Sequence, residues 1–110
     1  MADTEVVIGQ TKDGRLIVYF EDAGPSSYSA GGFTITITTL RAIEKIVSLS
    51  NDGGFRTEPG HAIITNNSFK LPVFYYGYAC PGTPVCVTGW EVTTGRDLSG
   101  VKFSGIVIGF

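Results

Sequence analysis

Gly31-Gly32-Phe33-Thr34-Ile35-Thr36-Ile37-Thr38-Thr39-Leu40 alternates apolar and hydroxyl side chains after an opening glycine pair. Extended chain turns successive side chains to opposite faces, so Phe33, Ile35 and Ile37 share one side and Thr34, Thr36 and Thr38 the other. Such a segment is a half-buried β-strand, and its β-branched and aromatic residues suit a pleated surface.

The same reading extends in both directions. Glu5-Val6-Val7-Ile8 predicts a first strand, and Lys12-Asp13-Gly14-Arg15 a hairpin turn, because Asp-Gly tolerates positive φ. Arg15 to Phe20 returns as a second strand with apolar residues on both faces, which predicts cover on both. Glu21 to Ala30 is a polar, turn-rich loop, the kind of segment that carries binding or assembly contacts. Leu40 to Ser50 is ambiguous between a helical stripe and an alternating strand. The favoured reading is a helical turn over Leu40 to Ile43 and then a strand from Lys45 to Ser50; a full helix is the alternative.

Asn51-Asp52-Gly53-Gly54 is a turn and Phe55 to Pro59 a loop. His61 to Thr65 and Phe69 to Tyr76 predict a hairpin closed by Asn66-Asn67-Ser68. Pro72 lacks an N–H, which places its strand at an edge or a bulge. Trp90 to Thr94 is a further strand, Gly95 to Gly100 a turn, and Val101 to Phe110 a last strand, central because Ile106-Val107-Ile108 is apolar on both faces. About eight short strands at this spacing predict an all-β fold, a single antiparallel β-sandwich domain over residues 1–110.

Composition narrows the role. The chain has 110 residues, 43% of them hydrophobic and only 16% charged, which predicts apolar surface covered by other subunits. A formal net charge of -2 offers phosphates no attraction, so nucleic acid is not an expected partner. No apolar run approaches the roughly 20 residues of a membrane helix. Met1 to Glu5 is acidic and lacks the pattern of a secretory signal, so either synthesis in the cytoplasm or earlier processing is expected.

Cys80 and Cys86 flank Pro81-Gly82-Thr83-Pro84-Val85, which bends the chain back on itself. A disulfide closing this loop is expected and would be worth roughly 2 kcal/mol in the loop-entropy model; a pair of reduced thiols is the alternative. Zinc is not expected from this spacing with one histidine. That residue, His61, has no nucleophile beside it in sequence and reads as structural or exposed. The carboxylates are scattered in turns and strand faces, with neither a calcium loop nor a phosphate-binding glycine fingerprint among them. Asn66-Asn67-Ser68 matches a glycosylation triplet but reads better as a turn. No reaction centre is legible, and neither an enzymatic activity nor a cofactor is expected. Phe74, Tyr75, Tyr76, Tyr78 and Trp90 gather the aromatics in one third of the chain, and those facing outward would anchor a protein interface or stack on sugar rings.

The Gly-Gly-Phe-Thr-Ile-Thr-Ile strand, Lys45-Ile46-Val47-Ser48-Leu49, the Asn67-Ser68-Phe69 hairpin and the closing Leu98-Ser99-Gly100-Val101-Lys102-Phe103 with Ile106-Val107-Ile108-Gly109-Phe110 resemble small β-sandwich structural proteins of tailed phages and related viruses. The plan is jelly-roll-like, and is also similar to the H-type lectin fold and to lectin-like tail-fibre tips. Those tips carry a Trp shortly before the end, where this chain has Ser104-Gly105, so no sugar-binding residue is carried over. The resemblance implies a virion component, commonly trimeric, that decorates the capsid and contacts the major capsid protein or another virion protein. A fibre tip that binds a glycan or receptor is the second expectation, and a self-assembling extracellular filament subunit the third. A fibre tip also needs an attachment such as a coiled-coil shaft, and no heptads precede the sandwich. Under the decoration reading, the expected capsid or neighbour contacts are the N-terminal arm with Asp3 and Glu5 and the loop with Asp22, Pro25 and Tyr28. The aromatic segment would then form the subunit interface.

Overall fold

The computed structural model describes residues 2–75 and 91–110. Within them the chain runs β1 (Thr4–Gln10), β2 (Leu16–Ala23), β3 (Phe33–Thr36), β4 (Ile43–Asn51), β5 (Phe55–Arg56), a 3₁₀ turn (Pro59–His61), β6 (Ile63–Thr65), β7 (Ser68–Leu71), β8 (Phe74–Tyr75) and β9 (Lys102–Gly109). The strands form three antiparallel sheets, ordered β1-β2-β9-β4, β3-β7-β6 and β5-β8. The fold is all-β.

Local chemistry accounts for the hairpins. Between β1 and β2, the Thr11 hydroxyl accepts from Arg15 N at 3.1 Å and donates to Asp13, while Gly14 takes φ +90°. Between β6 and β7, Thr65 pairs with Ser68, so Asn66 and Asn67 alone make the turn, with Asn66 at φ +54°. Asparagine tolerates that left-handed conformation better than other non-glycine residues.

Other boundaries depart from expectation for tertiary reasons. β2 runs on to Ala23 because Glu21, Asp22 and Ala23 pair with Ser104, Phe103 and Lys102 of β9. Its Val18 and Phe20 are buried, but Ile17 and Tyr19 on the other face are only half-covered. β3 stops at Thr36: Ile37 N–H donates to Asn67 O at 2.9 Å and Leu40 N–H to Ile37 O at 3.1 Å, turning the chain at Thr38-Thr39. Residues 40–43 form no helical turn, and a strand begins at Ile43. Two register shifts between β4 and β9 reconcile the imperfect alternation with a strand.

Pro72 interrupts the predicted Phe69 to Tyr76 strand, so that β7 and β8 join different sheets. Of the strand expected over Trp90 to Thr94, the described part is one isolated bridge from Glu91 to Phe74 and a bond from Val92 N–H to Val73 O at 2.8 Å. His61 lies in the 3₁₀ turn rather than opening a strand.

β9 is central, as its two apolar faces predict, lying between β2 and β4. Its C-terminus is fixed by Phe110 N–H donating to Ala42 O at 2.9 Å and Arg41 N–H donating to Phe110 O at 2.6 Å. One core joins the two larger sheets. Phe20 of β2 meets Phe69 of β7 edge-on with ring centroids 5.6 Å apart, and Phe33 of β3 meets Phe103 of β9 at 5.0 Å. This face-to-face contact is consistent with the expected sandwich.

Candidate interaction surface

Tyr28 organises the long loop, now residues 24–32, by a polar anchor inside the molecule. Its side chain is fully buried. The hydroxyl donates to Glu91 Oε2 at 2.5 Å and accepts Val73 N–H at 2.9 Å, and the same carboxylate oxygen accepts Gly31 N–H at 2.7 Å. Backbone bonds from Tyr28 N–H to Arg96 O and from Gly95 N–H to Tyr28 O complete the tie. Burial, and next the bond to Glu91, push the phenol far above its ordinary pKa. Tyr28 was expected at a capsid-contact surface; a fully buried side chain cannot present one, and its role is to hold the loop.

The remaining expected contact residues lie at or near the surface, and Glu5, Asp3 and Pro25 already have partners within the chain. Glu5 reaches from β1 to the Thr38-Thr39 turn at the end of β3. Its Oε2 accepts Thr38 N and Oγ1, each at 3.0 Å, and its Oε1 accepts Thr39 N at 2.8 Å and Oγ1 at 2.6 Å. Desolvation raises the Glu5 pKa, but these bonds outweigh it and hold the carboxyl below its usual range. Asp3 Oδ2 accepts Ala23 N–H at 3.0 Å. Beside it, burial and then the charge of Asp3 raise the Asp22 pKa. Pro25 is half-buried, and its carbonyl accepts Leu98 N–H at 2.8 Å.

Of the five aromatic candidates, Tyr76, Tyr78 and Trp90 lie outside the described residues, as do Cys80 and Cys86. Phe74 and Tyr75 form β8 and are half-buried against β5. The Arg96 guanidinium lies 5.2 Å from the Phe55 ring centroid and 5.5 Å from that of Tyr75, and its Nη1 donates to the Tyr75 hydroxyl at 3.0 Å. Burial raises the Tyr75 pKa, but bonding to Thr93 and then to Arg96 outweighs it and lowers the net value. Arg56 lies 5.1 Å from the Phe74 ring centroid, and His61 meets that ring edge-on at 5.2 Å. Both neighbours are drawn to Glu58, at 3.6 Å from Arg56 and 3.4 Å from His61. Cationic and aromatic neighbours therefore already occupy these rings, which leaves them poorly presented for sugar stacking. Beside them, a shallow groove of about 210 Å³ is lined by Leu49, Ser50, Asn51, Phe55, Arg56 and Thr57.

Sequence reasoning missed the largest apolar exposures. Val6, Val7 and Ile8 on β1 are 48%, 48% and 54% exposed, and Ile63 on β6 is 63% exposed. Val47 on β4 and Ile64 on β6 also face solvent. β1, β4 and β6 are all sheet edges among the described residues. The unbroken Val6-Val7-Ile8 run was the available signal, since a strand with one wet face alternates. Val6 and Val7 pair in unbroken register with Tyr19 and Val18 and so point to opposite faces, while the register shift between Val7 and Gly9 leaves Ile8 outside the ladder with β2; all three are exposed.

Among the described residues no group of three His, Cys, Asp or Glu side chains is placed to hold a metal ion. The arrangement offers apolar edges and an Arg-aromatic cluster, features suited to protein contacts. Comparison with protein-family models, with curated proteins and with solved structures finds no match to this chain.

Proposed function

We propose that this chain is a non-enzymatic virion structural protein, a capsid decoration protein that stabilises the shell through contacts with other copies and with the major capsid protein. The observation that supports the reading is the placement of exposed apolar residues on β1, β4 and β6, which are edges of the two larger sheets among the described residues. Apolar patches on a chain with few charges gain free energy when covered, at roughly 25 cal/mol per Å². A subunit that binds only the assembled shell stabilises that shell by mass action.

The test is co-sedimentation with decoration-free expanded capsids from a panel of tailed phages, with capsid melting recorded alongside. Saturable binding at a fixed copy number per capsomer and a raised melting temperature are expected. No binding to any shell in the panel would overturn the assignment for those viruses.

A tail-fibre tip that binds a glycan or receptor is the second reading, favoured by the groove beside Phe55 and Arg56. It predicts saturable binding on a glycan array, weakened by Trp90→Ala or Tyr76→Ala.

A further inference from the structure

We propose that the groove between the end of β4 and β5 holds the terminal acidic unit of a glycan, a uronic or sialic acid, with the Arg56 guanidinium receiving its carboxylate. The inference rests on the glycan-binding reading and narrows it to charged sugars.

Arg56 is set up for an anion. Its guanidinium lies 5.1 Å from the Phe74 ring centroid, an attraction that positions the group without using its N–H donors. The side chain is only 33% exposed, and its Nε is buried with no acceptor. The one carboxylate within 4 Å among the described residues is that of Glu58, at 3.6 Å from Nη1, too long for a hydrogen bond. A planar fork of donors held in this way favours an arriving carboxylate, which it can meet with two parallel bonds. Arg15 shows the contrasting case: its Nε is also covered, but Glu44 and Asp13 lie 2.8 Å and 3.3 Å from its guanidinium and neutralise it.

The lining selects a sugar as the carrier of that carboxylate. Leu49 and Phe55 supply apolar wall, and Ser50 and Thr57 supply hydroxyls. Arg96 already lies 5.2 Å from the Phe55 ring centroid, so charge and hydrogen bonding rather than ring stacking must carry recognition. That requirement favours an acidic sugar over a neutral one. The volume of about 210 Å³ is below the roughly 300–1,000 Å³ of sites for drug-sized ligands, which suits one sugar unit. Asn51 closes the turn end of the groove, its Nδ2 donating to Phe55 O at 2.6 Å and its Oδ1 accepting Phe55 N–H at 3.0 Å. An occupant therefore enters by its own end, which fits a terminal sugar and not a peptide strand running through. Asp52 in the same turn is engaged elsewhere, accepting Lys102 N–H at 2.8 Å.

The experiment is an amide NMR titration of the full chain with glucuronate and with N-acetylneuraminate. Glucose is the neutral counterpart and a tetraglutamate peptide the acid that is not a sugar. Arg56→Gln, Glu58→Gln and Lys70→Gln are compared, with folding checked by thermal melting; Lys70 lines a separate groove on β7. Saturable shifts at the Ser50, Arg56 and Thr57 amides are expected with the acidic sugars and not with glucose. Arg56→Gln should weaken binding at least about tenfold. Glu58→Gln removes the chain's own competitor and should tighten binding about threefold, and Lys70→Gln should leave it unchanged. Should Arg56→Gln fail to fold, Glu58→Gln decides, and an affinity no tighter than that of the unsubstituted chain would overturn the proposal. So would equal shifts with glucose, tetraglutamate binding as tightly as the sugars, or undiminished binding in folded Arg56→Gln. Saturable binding of neutral glycans with no response to either acid would remove this proposal and leave the glycan reading. Absence of binding to any glycan would remove both.

Discussion

Glu5 and Tyr28 show how single polar groups fasten the layers of this fold. Glu5 links the four-stranded sheet to the turn that follows β3, so Glu5→Gln should lower stability at pH 7 by about 1 kcal/mol, a modest value because the site is partly solvated. The sign of its pH dependence follows from a folded pKa that lies below the unfolded one. The stabilisation is complete above the unfolded value of about 4.3 and is lost as pH falls through the folded value. The stability gap between the two proteins in urea titrations should therefore be constant above about pH 5.5 and shrink in acid. Tyr28→Phe removes the acceptor of Val73 N–H and the donor to Glu91 at a buried position. It should cost about 2 kcal/mol, read as a lower urea midpoint with an unchanged slope.

At the scale of elements, the entry to β3 depends on the glycine pair. Gly32 takes φ +119°, and a Cβ there would lie 2.5 Å from the Leu71 carbonyl carbon. Gly32→Ala should cost more than about 3 kcal/mol, since backbone on both sides must move. Gly54→Ala is the control: φ is also positive, at +76°, but a Cβ would meet nothing within 4 Å, so the loss should be about 1 kcal/mol. Thermal melting of both variants separates conformational strain from steric blockage. The strand alternation of Phe33 to Ile37, the Asp13-Gly14 hairpin and the central position of β9 were legible because their causes are local: period-two patterning, turn chemistry and two apolar faces. The extension of β2 to Ala23 was not, because Glu21 and Asp22 are ordinary loop residues until β9 pairs with them.

Across the whole molecule, the aromatic contacts between the larger sheets carry the core. Phe69→Ala empties a fully packed site facing Phe20, and an expected loss of about 4 kcal/mol would leave little of a typical domain's stability. Denaturant unfolding by intrinsic fluorescence and by circular dichroism should lose both signals together at a lower midpoint. The candidate surface belongs to this scale as well. Phe74 and Tyr75 were marked by composition, yet their pairing with Arg56 and Arg96 depends on residues about twenty positions away in either direction. Tyr28 read as a loop-surface residue because its partners, Val73 and Glu91, lie 45 and 63 residues further on.

Sequence alone determined that this chain is an antiparallel all-β protein and where most of its strands and turns begin, since side-chain alternation and turn preferences act between near neighbours. Only the tertiary structure decided which strands are edges and which apolar side chains stay uncovered. Val18 and Val7 are the same residue type in paired strands, but Val18 lies beneath the opposing sheet and Val7 at its open margin. Burial depends on what packs opposite, and that is fixed by contacts between residues far apart in the chain.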